Sequence, residues 1–142
     1  ADVNLVIVGP PVTGSYWEER IKPYLGDKIK YTGHIPYREL CNYYQKARAI
    51  LVTIKWEEPF GLVMIESMAC GTPVIAFRRG SVPEVIEDKK TGFIVENIKE
   101  MAEAIKKIDS IKRKDCRKHV ENNFGMDRMV DHYEKEFLRI VE

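Results

Sequence analysis

The sequence has few cysteines, almost no net charge and no long apolar run, and each shortage argues against a class of protein. Its 142 residues include three cysteines, Cys41, Cys70 and Cys116. They are odd in number and far apart along the chain, so they fit neither a disulfide framework nor a zinc site. They favour a reducing compartment. The net charge of +1 argues against nucleic acid or an acidic membrane as a partner through bulk electrostatics.

No apolar run approaches the roughly 20 residues that a membrane-spanning helix needs, and the first residues show no signal-peptide pattern. Internal repeats and low-complexity segments are missing as well. The apolar content of 44% and the charged content of 32% are typical of a globular protein in water. We therefore expect one domain and a cytoplasmic location.

Two nucleotide-binding fingerprints are missing from the first loop. Residues 9–14 read Gly-Pro-Pro-Val-Thr-Gly, which is not G-x-G-x-x-G. It is not a P-loop either, because no Gly-Lys-Ser/Thr sequence follows. The sequence also contains no Asp-x-Asp motif and no His/Cys grouping, so it predicts no metal centre.

What the sequence does contain is a central β-α-β pattern. A strand-like run at Ile50–Ile54 is followed by a short loop, an apolar segment of helical length and a second run at Val74–Phe77. Two strands joined in this way lie parallel, with the helix packed across them. Because ligands of such sheets bind at the carboxyl ends of the strands, we expect a site in the loop at 55–62.

The start of this central helix has the features of an anion site. Pro59 stands just ahead of it, where a missing N–H costs nothing. Gly61 allows a positive φ or a close approach by a ligand. The backbone amides from Phe60 to Val63 would then lack helical acceptors and could donate to an anion.

Glu66 is the only ionisable residue in an otherwise apolar helical stretch from Leu62 to Cys70. Such a helix is expected to be buried, and a carboxylate in it needs a partner or an opening to water. One interpretation is a narrow polar edge formed by Glu66 and Ser67. The other is a carboxylate aimed at ligand hydroxyls beyond a bound anion, which is the chemistry that a nucleoside diphosphate sugar presents.

The rest of the chain is predicted to alternate strands and helices. We expect a capping pair of Asn97 with Glu100, an N-cap at Ser81 and an apolar stripe along a last helix, part of it exposed. The amides near Ser81 could meet the same ligand as those of the central helix. The remaining predicted strands are Leu5–Val8, Ile29–Thr32 and Phe93–Val95, and the remaining helices start near Tyr16, Tyr37, Asn97, Ile111 and Asp127.

The string from Glu58 to Ala76, E-P-F-G-L-x-x-x-E-x-M-A-C-G-T-P-V-I-A, resembles the E-x7-E signature of family-four retaining glycosyltransferases. The segments at 4–9, 31–33, 47–53, 80–85 and 91–93 follow the order and spacing of that family. The resemblance covers essentially the whole chain, but only the C-terminal, donor-binding domain of a two-domain GT-B enzyme. It implies an α/β fold: a Rossmann-like three-layer domain with a mostly parallel sheet and C-terminal helices.

The resemblance also implies roles for individual residues. Glu66 would bind the ribose hydroxyls of the donor. Glu58 would be the catalytic residue, facing the donor sugar as its bond to phosphate breaks. The amides of Phe60, Gly61 and Leu62 would hold sugar hydroxyls and the distal phosphate. Helical spacing would place the two acids about two turns apart on one side of a cleft, unlike a glycosidase pair.

The same resemblance places Gly33 and Ile35 beside the nucleotide base. No obligatory metal or other cofactor is implied. The implied partners are a nucleotide sugar and an N-terminal acceptor domain, which this chain lacks together with the first strand and helix of its own domain. Peripheral membrane contact would come only through that other domain. The chain alone is expected to bind a nucleotide weakly and to transfer no sugar.

Three functions stay open on these grounds. The first is the donor half of a retaining hexosyltransferase. The second is half of a sugar phosphorylase or synthase with the same fold, and the third is a non-catalytic module that binds a nucleotide sugar. UDP-glucose is favoured as the donor by the resemblance of Trp56–Gly61 and Phe77–Ser81 to some glucosyltransferases, and GDP-mannose stays open.

Overall fold

The structure is a computed structural model that describes residues 3–10 and 13–141. The prediction of a loop at 9–14 includes Pro11 and Val12, which lie outside the described residues. The chain divides into two compact units after Leu40. The predicted α/β class with parallel strands is confirmed, since all three strand pairings in the described ranges are parallel.

The first unit contains one pair of parallel strands. Its elements are β1 at Leu5–Ile7, α1 at Ser15–Arg20, a 3-10 turn at Lys22–Tyr24 and β2 at Ile29–Tyr31. The predicted strand Leu5–Val8 is apolar throughout, a pattern that favours a buried central parallel strand, but this expectation of burial is wrong. Val6 keeps 48% of its surface exposed, because β1 pairs with β2 alone among the described strands. Ser15 is the first residue of α1, one residue before the predicted start near Tyr16, and Gly14 takes the N-cap position.

The second unit is built on three parallel strands in the order β3, β4, β5. The helix α2 runs from Tyr37 to Lys46 across the division between the units. The elements that follow are β3 at Ile50–Val52, α3 at Leu62–Ala69, β4 at Val74–Phe77, α4 at Val82–Val85, β5 at Gly92–Val95, α5 at Ile98–Lys107, a 3-10 turn at Ile108–Ser110, α6 at Arg113–Asn123 and α7 at Met126–Val141.

The core of the second unit is centred on β4, the middle strand. Val74, Ile75 and Ala76 are fully buried, as a central parallel strand with covered faces requires. Met64 and Met68 of α3 are fully buried in the same cluster. The site-bearing helix is therefore anchored to the best-packed part of the sheet.

The last helix has little contact with this core. No residue of α7 is buried among those that the structure describes, and Phe137 and Ile140 are 62% and 77% exposed. The prediction that part of its apolar stripe is exposed is confirmed. No helix within 3–10 and 13–141 combines the length and apolarity that crossing a membrane requires.

Two arginines of α6 bind the carboxyl ends of neighbouring helices. Arg113 donates to the backbone oxygens of Gln45 and Ala47, at 2.9 and 2.8 Å, where α2 ends. Arg117 donates to the backbone oxygen of Ala69 at 2.9 Å, where α3 ends. Cations at these positions satisfy orphan carbonyls and complement the helix dipoles. They hold the last turns of α2 and α3 in place.

The predicted cap of α5 is confirmed, and it allows a direct test. Asn97 Oδ1 accepts the Glu100 amide at 3.0 Å, while its Nδ2 donates to Glu100 Oε1 at 2.7 Å. Asn97→Ala is expected to lower the free energy of unfolding by about 1 kcal/mol, because an orphan amide loses its acceptor. Urea unfolding measures the change. Asn42→Ala, at an exposed position inside α2, is the matched control and should be neutral or slightly stabilising. An equal loss in both variants would contradict the cap explanation.

Candidate functional site

The central helix begins at Leu62, two residues later than the position of Pro59 predicted. Gly61 is its N-cap, with φ 75° and ψ 65°, and Leu62 is the first helical residue. The Met64 amide closes the first turn on the Gly61 carbonyl at 2.9 Å. A Cβ on Gly61 would come within 2.5 Å of Met64 Cε, so both backbone angle and packing favour glycine here.

The amides ahead of this helix are available for a ligand. Among the described residues, no hydrogen-bond acceptor is found for the backbone N–H groups of Phe60, Gly61, Leu62 and Val63. Three of these residues have exposed side chains, with Phe60 at 42%, Leu62 at 61% and Val63 at 47%. The prediction that this helix is buried is therefore wrong at its N-terminal turn, where the side chains of Leu62 and Val63 are exposed.

Glu66 lies on α3 and is partly buried. Its Oε2 accepts a hydrogen bond from the Tyr44 hydroxyl of α2 at 3.1 Å. In the part of the chain that the structure describes, Glu66 makes no ion pair with a basic side chain. The carboxylate is thus held by a neutral donor on Oε2, and Oε1 retains acceptor capacity.

Ser67 does not share a polar edge with Glu66. Its side chain is fully buried, and its hydroxyl donates to the Thr72 carbonyl at 2.9 Å. This bond closes the turn between α3 and β4. Glu66 is consequently the one polar side chain of α3 that is left to face a ligand, within the residues described.

Glu58 lies in the loop before the helix. Its Oε2 accepts from Trp56 Nε1 at 3.1 Å, and its carbonyl accepts from the Ser81 amide at 2.8 Å. The expected helical spacing between Glu58 and Glu66 is wrong, because Glu58 precedes the N-cap and lies outside the helix. The two acids instead belong to a loop and to the second turn of the helix that follows it.

A second loop, Arg78–Ser81, holds the first one in place. The Ser81 hydroxyl donates to the Phe60 carbonyl at 2.8 Å, and the Gly80 amide donates to Glu57 Oε2. The prediction that amides near Ser81 could meet the ligand is therefore wrong for Gly80 and Ser81, whose amides bind the Glu57–Glu58 segment. Ser81 does precede α4, as predicted, but its side chain does not cap that helix.

The arginines of this second loop do not bind the carboxylates of the site. Arg78 Nε pairs with Glu96 Oε1 at 2.7 Å, and Arg79 Nη1 donates to the Arg78 carbonyl at 3.2 Å. Both side chains are exposed. No group of three or more potential ligands suited to a metal ion occurs in the described parts of the chain.

A groove of about 550 Å³ adjoins the helix start. Phe60, Leu62 and Ile65 form one wall, and Phe124 with residues of α7 forms the other. Glu66 does not line this groove, whose surface is mostly apolar. The groove therefore is not the place where the Glu66 carboxylate would meet a ligand.

Gly33 and Ile35 belong to the first unit and are half-buried. Gly33 has a φ of 72°, and its carbonyl accepts from the Gly9 amide at 3.1 Å. Their role beside a nucleotide base stays a prediction.

Sequence reasoning missed Tyr44, Trp56 and Gly80 as residues that contact the acids of the site. For Tyr44 a signal was available, because an aromatic residue on the helix just before β3 can reach the central helix.

Comparison with known proteins shows the family to which this chain belongs. Residues 1–125 match the family model described as "Glycosyl transferases group 1". The spore coat protein SA of Bacillus subtilis is 34% identical over 122 residues, covering 77% of this chain and 32% of that protein. A probable sucrose-phosphate synthase of Thermosipho melanesiensis is 32% identical over 127 residues, covering 87% of this chain and 29% of that protein. The chain spans about a third of the length of these relatives.

Solved structures share the fold. Sucrose-phosphate synthase from Thermosynechococcus elongatus superposes with a TM-score of 0.76 at 29% identity, covering 96% of this chain and 39% of that one. Anabaena HepE in complex with UDP gives a TM-score of 0.74 at 20% identity, covering 96% of this chain and 41% of that one. With most of its length matched by the family model and by these structures, the chain belongs to the group 1 glycosyl transferase family.

Proposed function

We propose that this chain binds a nucleoside diphosphate sugar and supplies the donor half of a retaining hexosyltransferase. The observation that carries the proposal is the pairing of Glu66 with the open helix start. One carboxylate oxygen is held by the Tyr44 phenol at 3.1 Å, and the other is left for a ribose hydroxyl. A hydrogen bond from a hydroxyl to a charged carboxylate contributes about 1.5–3 kcal/mol.

The amides from Phe60 to Leu62 would bind the distal phosphate and the sugar hydroxyls. They are preorganised, because the Gly61 conformation and the Ser81 hydrogen bond to Phe60 fix the loop that carries them. Donors held in place in this way stabilise negative charge as it develops on the leaving diphosphate. No metal is needed for that role, so the proposed donor site works without one.

Glu58 would act as the catalytic carboxylate. Its position is set by the Trp56 indole at 3.1 Å and by the Ser81 amide on its backbone carbonyl. A negative charge facing the donor sugar stabilises the positive charge that grows at the anomeric carbon when the bond to phosphate breaks. Attack by the acceptor from the same face as the departing phosphate gives retention. The acceptor itself would bind to the N-terminal domain of a full-length enzyme.

UDP-glucose is the proposed donor. Relatives of this chain are named probable sucrose-phosphate synthase and D-inositol 3-phosphate glycosyltransferase, which supports glycosyl transfer as the reaction. Structures of the same fold have been solved with UDP and with UDP-glucose, which supports a uridine nucleotide as compatible with the architecture. A synthase with a sugar phosphate acceptor is the second candidate, favoured by the two sucrose-phosphate synthases in the comparison.

Calorimetric titration with uridine, UMP, UDP, GDP and ADP tests the donor site. UDP is expected to bind most tightly. Its affinity should exceed that of uridine by about tenfold for each 1.4 kcal/mol that hydrogen bonds from the amides contribute. A chelator should leave UDP binding unchanged. Equal binding of uridine and UDP would show that the helix start does not hold phosphate, and absence of any nucleotide binding would contradict the proposal as a whole.

A further inference from the structure

Two of the three cysteines, which are distant in sequence, meet in the folded chain. Cys41 Sγ on α2 lies 3.2 Å from Cys70 Sγ at the end of α3. The spacing of the cysteines along the chain fits no disulfide framework, yet the fold brings these two together, one on α2 and one at the end of α3. Both are free thiols, and Cys41 is exposed to solvent while Cys70 is partly buried.

We infer that Cys41 and Cys70 form a reversible disulfide that joins α2 to the end of α3. A disulfide requires a sulfur separation of about 2.05 Å, so the two atoms need to approach by only about 1.2 Å. Neither sulfur is enclosed in the core, since Cys70 stands at the C-cap of α3 and Cys41 is exposed on α2. Cys116 has no part in it, because that thiol is fully buried.

The oxidant is a low-molecular-weight disulfide of the glutathione class. The exposed Cys41 loses its proton and attacks one sulfur of the oxidant, which releases one thiolate and gives a mixed disulfide. Cys70 then loses its proton and attacks Cys41 Sγ, releasing the second thiolate. The protein gives up two electrons and two protons, and the oxidant becomes two thiols.

The surroundings of the two sulfurs support this order of attack. Burial, followed by the hydrogen bond to Cys41, raises the pKa of Cys70 to about 11, so Cys70 is a protonated thiol at neutral pH. Burial likewise raises the pKa of Cys116 to about 11, and complete burial keeps the oxidant from reaching that thiol. Cys41 is therefore the thiol that meets the oxidant first, and Cys70 is the one that resolves the mixed disulfide.

The cross-link would lie one helical turn from the proposed nucleotide site. Tyr44 follows Cys41 by three residues on α2, and Glu66 precedes Cys70 by four on α3. The same two helices are thus joined by the sulfur pair and by the hydrogen bond from Tyr44 to Glu66. The disulfide would hold the Tyr44 phenol on the Glu66 carboxylate. Oxidation of the cysteines would therefore restrict the orientation of the residue that is proposed to bind ribose.

Peptide mapping after oxidation tests the disulfide without reference to any nucleotide. The folded chain is incubated with oxidised glutathione, digested without reduction and analysed by mass spectrometry. The expected product links the Cys41 and Cys70 peptides, leaves Cys116 free and reverts with dithiothreitol. A glutathione adduct that persists on Cys41 without cross-linking, or equal oxidation of Cys116, would overturn the inference.

Single variants separate the two steps. Cys70→Ser should accumulate the mixed disulfide on Cys41, whereas Cys41→Ser should show neither adduct nor cross-link. Circular dichroism verifies that both variants are folded. Rapid modification of Cys70 in the Cys41→Ser variant would contradict the assigned order.

The effect of the disulfide on nucleotide binding by Glu66 rests on the proposed function and is measured separately. UDP titration of the oxidised and reduced chain is expected to show several-fold tighter binding in the oxidised form, because the cross-link holds the Tyr44 phenol on Glu66 Oε2 and so fixes the carboxylate with Oε1 free for ribose. A cross-link with unchanged UDP affinity would overturn this coupling while leaving the disulfide established. If neither form binds UDP, the proposed function fails, and the peptide map still decides the disulfide.

Discussion

Glu66→Ala is expected to weaken UDP binding by about 10- to 150-fold. The variant loses the charged acceptor that the proposal assigns to the ribose hydroxyls, and that bond contributes about 1.5–3 kcal/mol. Stability should change little by comparison, because Glu66 makes one hydrogen bond, to Tyr44, and no ion pair within the described chain. Calorimetric titration with UDP measures the affinity, and thermal unfolding verifies the fold.

Three further variants make this result specific. Glu66→Gln keeps the size of the side chain and removes its charge, so it should weaken binding almost as much. Tyr44→Phe removes only the phenol hydroxyl and is expected to change UDP affinity less than Glu66→Ala does. Glu103→Gln alters an exposed carboxylate of α5 that pairs with Lys106, and it should leave UDP binding unchanged. UDP affinity that survives in Glu66→Ala would refute the ribose-binding role.

Gly80→Ala is expected to destabilise the chain by about 2–5 kcal/mol and to displace the loop that carries Glu58. Gly80 has a φ of 48°, in the left-handed region that costs a residue with a Cβ. The added Cβ would also overlap the carbonyl oxygen and the amide nitrogen of Glu58, so backbone has to move. Urea unfolding measures the stability loss, and UDP titration of the folded fraction measures the effect on the site.

A second glycine provides the matched control. A Cβ added at Gly26 would meet no atom within 4 Å, and the φ of Gly26 is not left-handed. Gly26→Ala should therefore be neutral, or stabilising by about 0.4–1 kcal/mol through the unfolded state. Comparable destabilisation in both variants would mean that the close approach of Gly80 to Glu58 is not the cause. Ser81→Ala, which removes only the hydrogen bond to Phe60, offers a milder test of the same loop contact.

The helices and strands could be predicted because the sequence signals that mark them are local. The strand at Val74–Phe77 has the predicted bounds, since four consecutive apolar residues between a proline and two arginines leave little choice. Asn97 with Glu100 marked the start of α5 correctly, because a capping pair acts over three residues. The strand β1 was placed correctly but its burial was not, because burial depends on what covers a strand.

The candidate site could be predicted in part. Glu66 stood out as the one charge in an apolar stretch, and Gly61 as the residue that permits a left-handed turn. The helix start was misplaced, because a left-handed glycine delays the first turn. Tyr44 and Gly80 were missed as supports of the site, since each contacts an acidic loop or helix residue about 22 residues away in sequence.

By itself the sequence determined the alternation of strands and helices, the family resemblance and the acid that is isolated in the central helix. These follow from apolar periodicity, glycine and proline positions and a long ordered motif, all of which act between near neighbours. Only the tertiary structure decided the contacts of the site: the Tyr44 phenol on Glu66, the second loop that fixes Glu58 and the sulfur pair one helical turn from Glu66. Such contacts join residues that are distant in the chain, and their geometry depends on how the helices pack on the sheet.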